Sequence, residues 1–366
     1  MFESESKNYM QRCVELARRG FGFVNPNPPV GAILVKNGKI IGEGWHTKSG
    51  LPHAEVEALR SCKEDSSGAT LYVTLEPCTH FGKTPPCVDA IIKAGITHVV
   101  IGTLDPNPIV SGKGVAAIQA AGIGVEVGVE EEECKKLIRI FSYWITTGRP
   151  YVIGKVAVSS DLKIAAQEGV RTQLTGSEAE KITHSLRYEC DAILVGVDTV
   201  ITDNPFLTDR HHTPPRSPLR IILDSTLRAP LDSHVFSDKN VFVVATTKST
   251  GERRSAFEEK DIQVIVLPSK NDKIDLEALL LYCASRGITS ILVEGGRRVI
   301  DSFIEADLID EWHIFKSSTI LGSHGLDVCS DLVYFRSLLA RAPRKAVLID
   351  RTPLDRGDGV LYYLAV

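Results

Sequence analysis

Apolar positions along this chain recur at two periods, near 3.6 and near 2, and the switches between them mark out its elements. Residues 5–19 place Tyr9, Met10, Cys13, Leu16 and Ala17 on one helical face, and Gly20 stops that helix. Asn25-Pro26-Asn27-Pro28-Pro29 then forms a rigid wall before the apolar run 30–35, a buried strand. Lys36-Asn37-Gly38-Lys39 turns it into a second strand over 40–44. A helix from His53 to about Cys62, a strand over 70–75, a helix over 88–95 closed by Gly95 and a strand over 98–102 follow, with another βα pair through Val125-Glu126-Val127. Four glutamates, 130–133, open a helix running through Phe141, with acids at the end the helix dipole favours; they form a solvated helix start, not a metal site. A second series begins with a strand over 150–158. It continues through a helix over 177–188, strands over 192–196, 219–224, 241–245 and 263–266, a helix over 275–285, and a strand over 290–296 that runs into another helix. This alternation predicts an α/β fold in both halves, with a boundary near Thr146–Pro150.

Length fits that division, since 366 residues exceed what one core usually holds. The expected domains are 1–147 and 148–366. The apolar and charged fractions are those of a soluble globular protein. No basic, apolar-cored leader opens the sequence and no apolar run approaches the ~18 residues of a membrane span, so a cytoplasmic protein with no membrane contact is expected. Cys13, Cys62, Cys134, Cys190, Cys283 and Cys329 are scattered without a pairing pattern, as reduced thiols would be. A net charge of −4 argues against a broad nucleic-acid surface, whereas a small anionic ligand needs only local Lys and Arg.

The chemistry concentrates in His53-Ala54-Glu55 and in the run from Glu76 to Cys87. A histidine nitrogen and two cysteine thiolates, from His53, Cys78 and Cys87, suit tetrahedral zinc and leave a fourth position for water. On a helix starting near Pro52, positions 53 and 55 lie about 200° apart. Glu55 is therefore expected to move a proton to or from that water rather than to bind the metal. Zinc deaminases carry H-x-E followed by P-C-x-x-C; here the second cysteine comes nine residues after the first. Structural cysteines or a closed structural zinc site are the competing readings, and the ordered conjunction of His-x-Glu, strand and Glu-Pro-Cys disfavours both. His80 would strain the loop as a fourth ligand and is read as a substrate-side or supporting residue. Asn27 and His46 are expected at the same end as the metal helix, although a turn-forming Asn and a surface His are the plainer readings. Asp105-Pro106-Asn107-Pro108 falls at the C-terminal end of a strand, where open α/β sheets hold ligands. Ser111-Gly112-Lys113-Gly114 is expected to offer backbone N–H groups and an ammonium to a phosphate. In the second half, Gly295-Gly296 before a helix reads as an anion site reinforced by Arg297 and Arg298, with a plain tight turn as the alternative.

With these residues in view, the first 147 positions resemble the deaminase half of the bifunctional riboflavin biosynthesis family. That family joins a pyrimidine deaminase to a 5-amino-6-(5-phosphoribosylamino)uracil reductase. The match rests on Asn27-Pro28-x-Val30-Gly31, His53-Ala54-Glu55, the insert Pro77-Cys78-Thr79-His80-x-Gly82-Lys83-Thr84-Pro85-Pro86-Cys87, and Asp105-Pro106-Asn107-Pro108. The insert is the specific part, because other zinc nucleobase deaminases have shorter inter-cysteine spacing. The resemblance implies that Asn27, His46, Lys83, Asp105 and Asn107 line the pocket for the diaminopyrimidine and its ribose phosphate.

Residues from about 150 onward are similar to the reductase half, whose fold is like dihydrofolate reductase and whose hydride donor is NADPH. The matching positions include Ala157, Ser159, Asp161, Lys163, Arg187, Asp191 to Gly196, Thr199, Asp203-Asn204-Pro205, Arg210 and Glu294-Gly295-Gly296. The resemblance implies NADPH contacts at Ala157, Gln173, Thr199, Asp203, Ser225 and Gly296. It implies ribosylamine and phosphate contacts at Lys163, Arg171, Arg187, Leu207, Arg210 and Glu294. Leu162 stands where the family has glycine, Gln173 where it has tryptophan, and Arg171 where a small polar residue is common.

The expected architecture is α/β throughout: a cytidine-deaminase-like α/β/α domain, then a dihydrofolate-reductase-like α/β domain. The expected function is zinc-dependent deamination of a phosphoribosylamino-diaminopyrimidine followed by NADPH-dependent reduction of its ribosyl group to ribityl. A homo-oligomer, dimer or tetramer, is a family expectation. A zinc deaminase with a redox-inactive second half and a zinc-stabilised nucleotide-binding protein are the alternatives.

Overall fold

Met10, Cys13, Val14, Leu16 and Ala17 are fully buried along one side of α1 (Phe2–Arg18), which lays that side on a five-stranded sheet. The computed structural model describes residues 2–340, 346–353 and 359–365. The chain divides into two compact units, Met1–Gly148 and Arg149–Val366.

In the first unit β1 (Gly31–Lys36) and β2 (Lys39–Trp45) form a hairpin through Asn37 and Gly38, both at positive φ. This is the turn whose twist matches the flanking strands. The chain continues through α2 (Ala54–Ser61), β3 (Thr70–Leu75), α3 (Cys87–Lys93), β4 (His98–Thr103), α4 (Lys113–Ala120) and β5 (Gly124–Val127). The sheet order is β2-β1-β3-β4-β5, with β3, β4 and β5 parallel. Gly44 lets α2 press onto β2, since a Cβ there would sit 2.3 Å from the Ala58 nitrogen. That contact sets the height of the metal helix over the sheet. The helix expected over 130–141 is instead two, α5 (Glu131–Leu137) and α6 (Arg139–Thr147), broken at Ile138 where ψ opens to 11°. Glu131 and Glu132 pair with Lys135, and Glu133 with Lys136, on the solvated side.

The second unit runs β6 (Tyr151–Val158), β7 (Lys163–Ala165), α7 (Ser177–Glu189), β8 (Ala192–Gly196), α8 (Val197–Asp203), β9 (Leu219–Leu223), β10 (Val241–Ala245), α9 (Gly251–Glu258) and β11 (Gln263–Val266). Then follow the short pair β12 (Ser269–Lys270) and β13 (Lys273–Ile274), α10 (Leu276–Ser285), β14 (Ser290–Gly295), α11 (Arg297–Glu305), β15 (Glu311–Lys316), β16 (Leu326–Asp327), α12 (Leu332–Ala340), β17 (Ala346–Pro353) and β18 (Gly359–Ala365). Nine strands form one sheet in the order β11-β10-β9-β8-β14-β6-β15-β18-β17. It is parallel from β11 to β15 and antiparallel at β18 and β17. The chain leaves β6, builds outward from β8 to β11, then returns to insert β14 between β8 and β6. The reversal makes the C-terminal ends of β6, β8 and β14 a switch point, where such sheets bind ligands. No described helix is long and apolar enough to cross a membrane.

Candidate active sites

The first site is built at the start of α2 and the ends of β3 and β4. His53 caps α2 in an extended conformation, φ −75° and ψ 167°, rather than lying inside the helix as the 200° argument assumed. Its Nδ1 lies 3.2 Å from Cys87 Sγ and 3.6 Å from Cys78 Sγ. Tetrahedral zinc with ordinary Zn–N and Zn–S lengths would hold such atoms about 3.5 Å apart, so these three residues fit the ion. With Nδ1 aimed at the sulfurs, Nε2 carries the proton toward Thr84 Oγ1 at 3.4 Å, a contact that fixes the ring. Hydrogen bonds from the Cys87 thiol and backbone N–H, together with His53, hold the Cys78 thiol well below its ordinary pKa, and Cys87 is correspondingly pushed up. Glu55 is 3% exposed, and burial holds its carboxyl above the usual range.

His46 stands beside the metal histidine, the two rings edge-on at 5.2 Å. Its Nδ1 donates to the Pro52 carbonyl at 3.1 Å, so its Nε2 accepts from Asn27 Nδ2 at 3.1 Å. Burial keeps this imidazole below its ordinary pKa. Asn27 and His46 are thus joined to each other and to the metal helix. Asp105 Oδ1 accepts the Asn107 N–H at 2.8 Å, and burial raises the Asp105 carboxyl. Lys83 and His80 are exposed on the cysteine loop, with Lys83 Nζ 3.5 Å from Ser49 Oγ.

The loop at Ser111–Gly114 is not a vacant anion site. The N–H groups of Gly112, Gly114 and Val115 all donate to the buried carboxylate of Glu76. The anion that the glycines accommodate is the protein's own. The sequence pattern alone assigns Glu76 no role; its place immediately before Pro77-Cys78 is the one local signal.

The second site lies at the switch point. Arg187 on α7 forks onto Glu294 at the end of β14, and its Nη1 donates to the Thr208 carbonyl at 3.2 Å. Lys155 on β6, which sequence reasoning missed, brings Nζ to 4.0 Å from Glu294 Oε2 and 5.5 Å from the Phe315 ring centroid. Its lone cationic position in an apolar strand was the signal. Burial lowers the Lys155 ammonium, with Glu294 opposing. Thr199 meets the glycine turn: a Cβ on Gly296 would stand 3.1 Å from Thr199 Oγ1, and Gly295 and Gly296 take φ 98° and 82°. Asp203 closes α8, its carboxyl raised by burial with Arg171 opposing. Ala157 packs with Ala179 and Phe315, and the Ser225 carbonyl accepts from Thr246. Leu207 is buried at φ 53°, and the Arg210 backbone N–H donates to His184 Nδ1 at 3.1 Å.

Other expected residues are engaged elsewhere. Lys163 Nζ pairs with Asp327 at 2.6 Å across β7 and β16, and Gln173 is exposed. Arg297 lies 3.8 Å from Asp301 and Arg298 3.5 Å from Asp198. Among the described residues one further trio, Glu180, His184 and His211, gathers potential metal donors. The two histidine rings stack at 4.1 Å, and Glu180 Oε1 stands 3.9 Å from His184 Nε2 and 4.0 Å from His211 Nε2, beyond hydrogen-bonding distance.

Residues 3–103 match the family described as the cytidine and deoxycytidylate deaminase zinc-binding region, and residues 150–342 match the RibD C-terminal domain. The riboflavin biosynthesis protein RibD of Aquifex aeolicus is 45% identical over 328 residues, covering 90% of this chain and 91% of that one. The solved structure of Acinetobacter baumannii RibD, form 1, superposes with a TM-score of 0.85 at 36% identity, covering 100% of this chain and 99% of that one. A Thermotoga maritima structure, described as a diaminohydroxyphosphoribosylaminopyrimidine deaminase/5-amino-6-(5-phosphoribosylamino)uracil reductase, gives 0.84 at 38% identity with both chains covered in full. From the zinc-fitting trio in one α/β unit to the switch-point site in the other, this chain belongs to the RibD family of riboflavin biosynthesis proteins.

Proposed function

We propose that residues 1–147 carry the deaminase and residues 148–366 the reductase of this bifunctional riboflavin-biosynthesis enzyme. The enzyme acts on a small molecule, hydrolytically deaminating 2,5-diamino-6-(5-phosphoribosylamino)pyrimidin-4(3H)-one and then reducing the ribosyl group to ribityl. The observation that carries the deaminase assignment is the meeting of His53 Nδ1 with the Cys78 and Cys87 sulfurs beside buried Glu55.

Zinc, when bound, supplies a water whose pKa is brought near neutrality. Glu55, buried beside His53 and Cys87, takes a proton from water and returns it to the exocyclic amine. The new C–O bond replaces the C–N bond, and ammonia leaves. Asn27, with its Nδ2 committed to His46, keeps its carbonyl oxygen for a ring amine. Asp105 and Asn107 hold the pyrimidine from the β4 loop, and Lys83 meets the phosphate as a point charge.

In the second unit NADPH, when bound, would supply a hydride to C1′ of the ribose as the C1′–O4′ bond opens, with a proton from solvent going to O4′ and NADP+ left behind. Ala157, Thr199, Asp203, Ser225 and Gly296 seat the cofactor along the strand ends. Arg187, Leu207, Arg210 and Glu294 hold the ribosylamine and its phosphate. Lys163, Arg171 and Gln173 belong to the rim of this site in our reading, with Lys163 exchanging Asp327 for substrate. We place the enzyme in the cytoplasm, the compartment in which scattered thiols such as Cys13, Cys62, Cys134, Cys283 and Cys329 stay reduced. A dimer or tetramer is the family expectation, and sedimentation at working concentration tests it.

The decisive variant is Glu55→Gln. Zinc content stays at the wild-type level while deamination falls by about 10²- to 10⁴-fold. Loss of zinc together with activity would make Glu55 a structural residue and remove it from the reaction.

A further inference from the structure

The carboxylate of Glu76 takes no part in the chemistry above, yet it is among the most fully engaged groups of the first unit. It is buried, and it accepts four backbone N–H bonds. Oε2 receives Asp105 at 3.2 Å and Gly112 at 3.0 Å; Oε1 receives Gly114 at 2.8 Å and Val115 at 3.1 Å. An ionised carboxylate has about four acceptor sites, and here all are filled, two from the loop that follows β4 and two from the first turn of α4. The Glu76 backbone N–H also donates to the Thr103 carbonyl at 3.0 Å, anchoring the residue to the end of β4.

What this side chain joins is specific. Cys78 lies two residues beyond it on the metal loop. Asp105 and Asn107 lie on the loop it grips, and the Asp105 N–H is itself one of the four donors. The approach is so close that a Cβ on Gly114 would stand 2.2 Å from the Pro77 carbonyl oxygen and 2.9 Å from Glu76 Cγ. The glycine and the carboxylate are two halves of one joint.

We infer that Glu76 is a positioning residue of the deaminase: it fixes the loop bearing Asp105 and Asn107 against the loop bearing Cys78, and so sets affinity for the pyrimidine. This rests on the reading of Asp105 and Asn107 as substrate-holding residues. Contacts made equally to substrate and transition state change KM while leaving kcat in place. Glutamine at 76 would keep the shape but replace one acceptor oxygen with a donor facing two N–H groups. Because the amides of Gly112, Gly114 and Val115 are already committed, the substrate phosphate is held elsewhere.

The test is steady-state deaminase kinetics of full-length Glu76→Gln and Gly114→Ala. Zinc content is measured on both, as is reductase turnover on chemically supplied deaminated substrate. We expect retained zinc, unchanged reductase turnover, KM raised about tenfold and kcat within about threefold of wild type. The inference is overturned if KM stays at the wild-type value in both zinc-loaded variants, or if kcat falls while KM holds. It is also overturned if both variants lose zinc, for then Glu76 supports only the metal loop. Wild-type enzyme that releases no ammonia from the diaminopyrimidine would overturn the underlying substrate reading, and the inference with it; the wild-type control separates the two failures.

Discussion

Arg187 and Glu294, 107 residues apart in sequence, meet in a two-pronged ion pair, Nε to Oε1 at 2.5 Å and Nη2 to Oε2 at 2.9 Å. Their side chains are only 14% and 6% exposed, and the pair ties α7 to the end of β14 at the switch point. Burial alone would raise the Glu294 carboxyl; Arg187, helped by Lys155, outweighs it and holds the group below its ordinary range.

Removing one partner leaves the other charged and buried. Glu294→Ala is expected to lower the stability of the second unit by about 3 to 5 kcal/mol, read as a shift in the denaturant midpoint. Glu294→Gln, which keeps the shape and one acceptor, should cost less. A loss under about 1 kcal/mol for the alanine variant would mean the pair behaves as an exposed one.

His184 gives a pH dependence. Its Nδ1 accepts the Arg210 N–H, so the ring must stay neutral there. Burial, followed by Arg187, His211 and Arg210, holds its pKa below the usual histidine value, against the opposing charge of Asp209; Glu180 faces Nε2. A depressed native pKa means the unfolded chain binds the proton first as pH falls. The stabilisation is therefore complete above about 6.5 and is lost as pH drops through the lower native value. Reductase KM for the phosphorylated substrate should rise on that acid limb. His184→Asn, which offers a non-titrating acceptor, should flatten the limb, and His184→Leu should raise KM about tenfold at every pH. An unchanged acid limb in His184→Asn would assign it to another group.

Leu162 sits at φ 65°, the left-handed region, with its side chain 6% exposed in the core of the second unit. The strain costs about 1 to 2 kcal/mol, whereas emptying a buried leucine site costs about 2 to 5 kcal/mol. Packing wins, so Leu162→Gly should lower the melting temperature. A rise would show that the strain outweighs the contacts.

Much of this was legible in the chain. The hairpin at Asn37-Gly38, the metal trio and most sheet strands follow from local pattern and spacing. The strand over 311–316 does not, because Glu311 and His313 are polar at buried positions and break the apolar run. The Glu76 joint does not follow from local pattern for another reason: beyond the residue's place before Pro77-Cys78, its four partners lie 29 to 39 residues away. The left-handed Leu162 contradicts residue preference, since the backbone there is set by the turn that Ser159 and Asp161 hold together. Nor does spacing reveal that Lys163 pairs with Asp327, 164 residues on.

Metal removal should divide the two activities. Chelation is expected to abolish deamination while leaving NADPH oxidation on the deaminated substrate in place, and added zinc should restore the first. Parallel loss of both would contradict a zinc role confined to the first site.

The most direct measurement is a coupled assay on the purified full-length enzyme, given the phosphoribosylamino-diaminopyrimidine and NADPH. Ammonia release and NADPH oxidation are followed together. Ammonia should appear first, NADPH oxidation should follow in equal molar amount, and Glu55→Gln should silence both, with deaminated substrate restoring NADPH oxidation alone. NADPH oxidation without ammonia, or ammonia without any oxidation, would contradict the account of two sequential reactions in one chain.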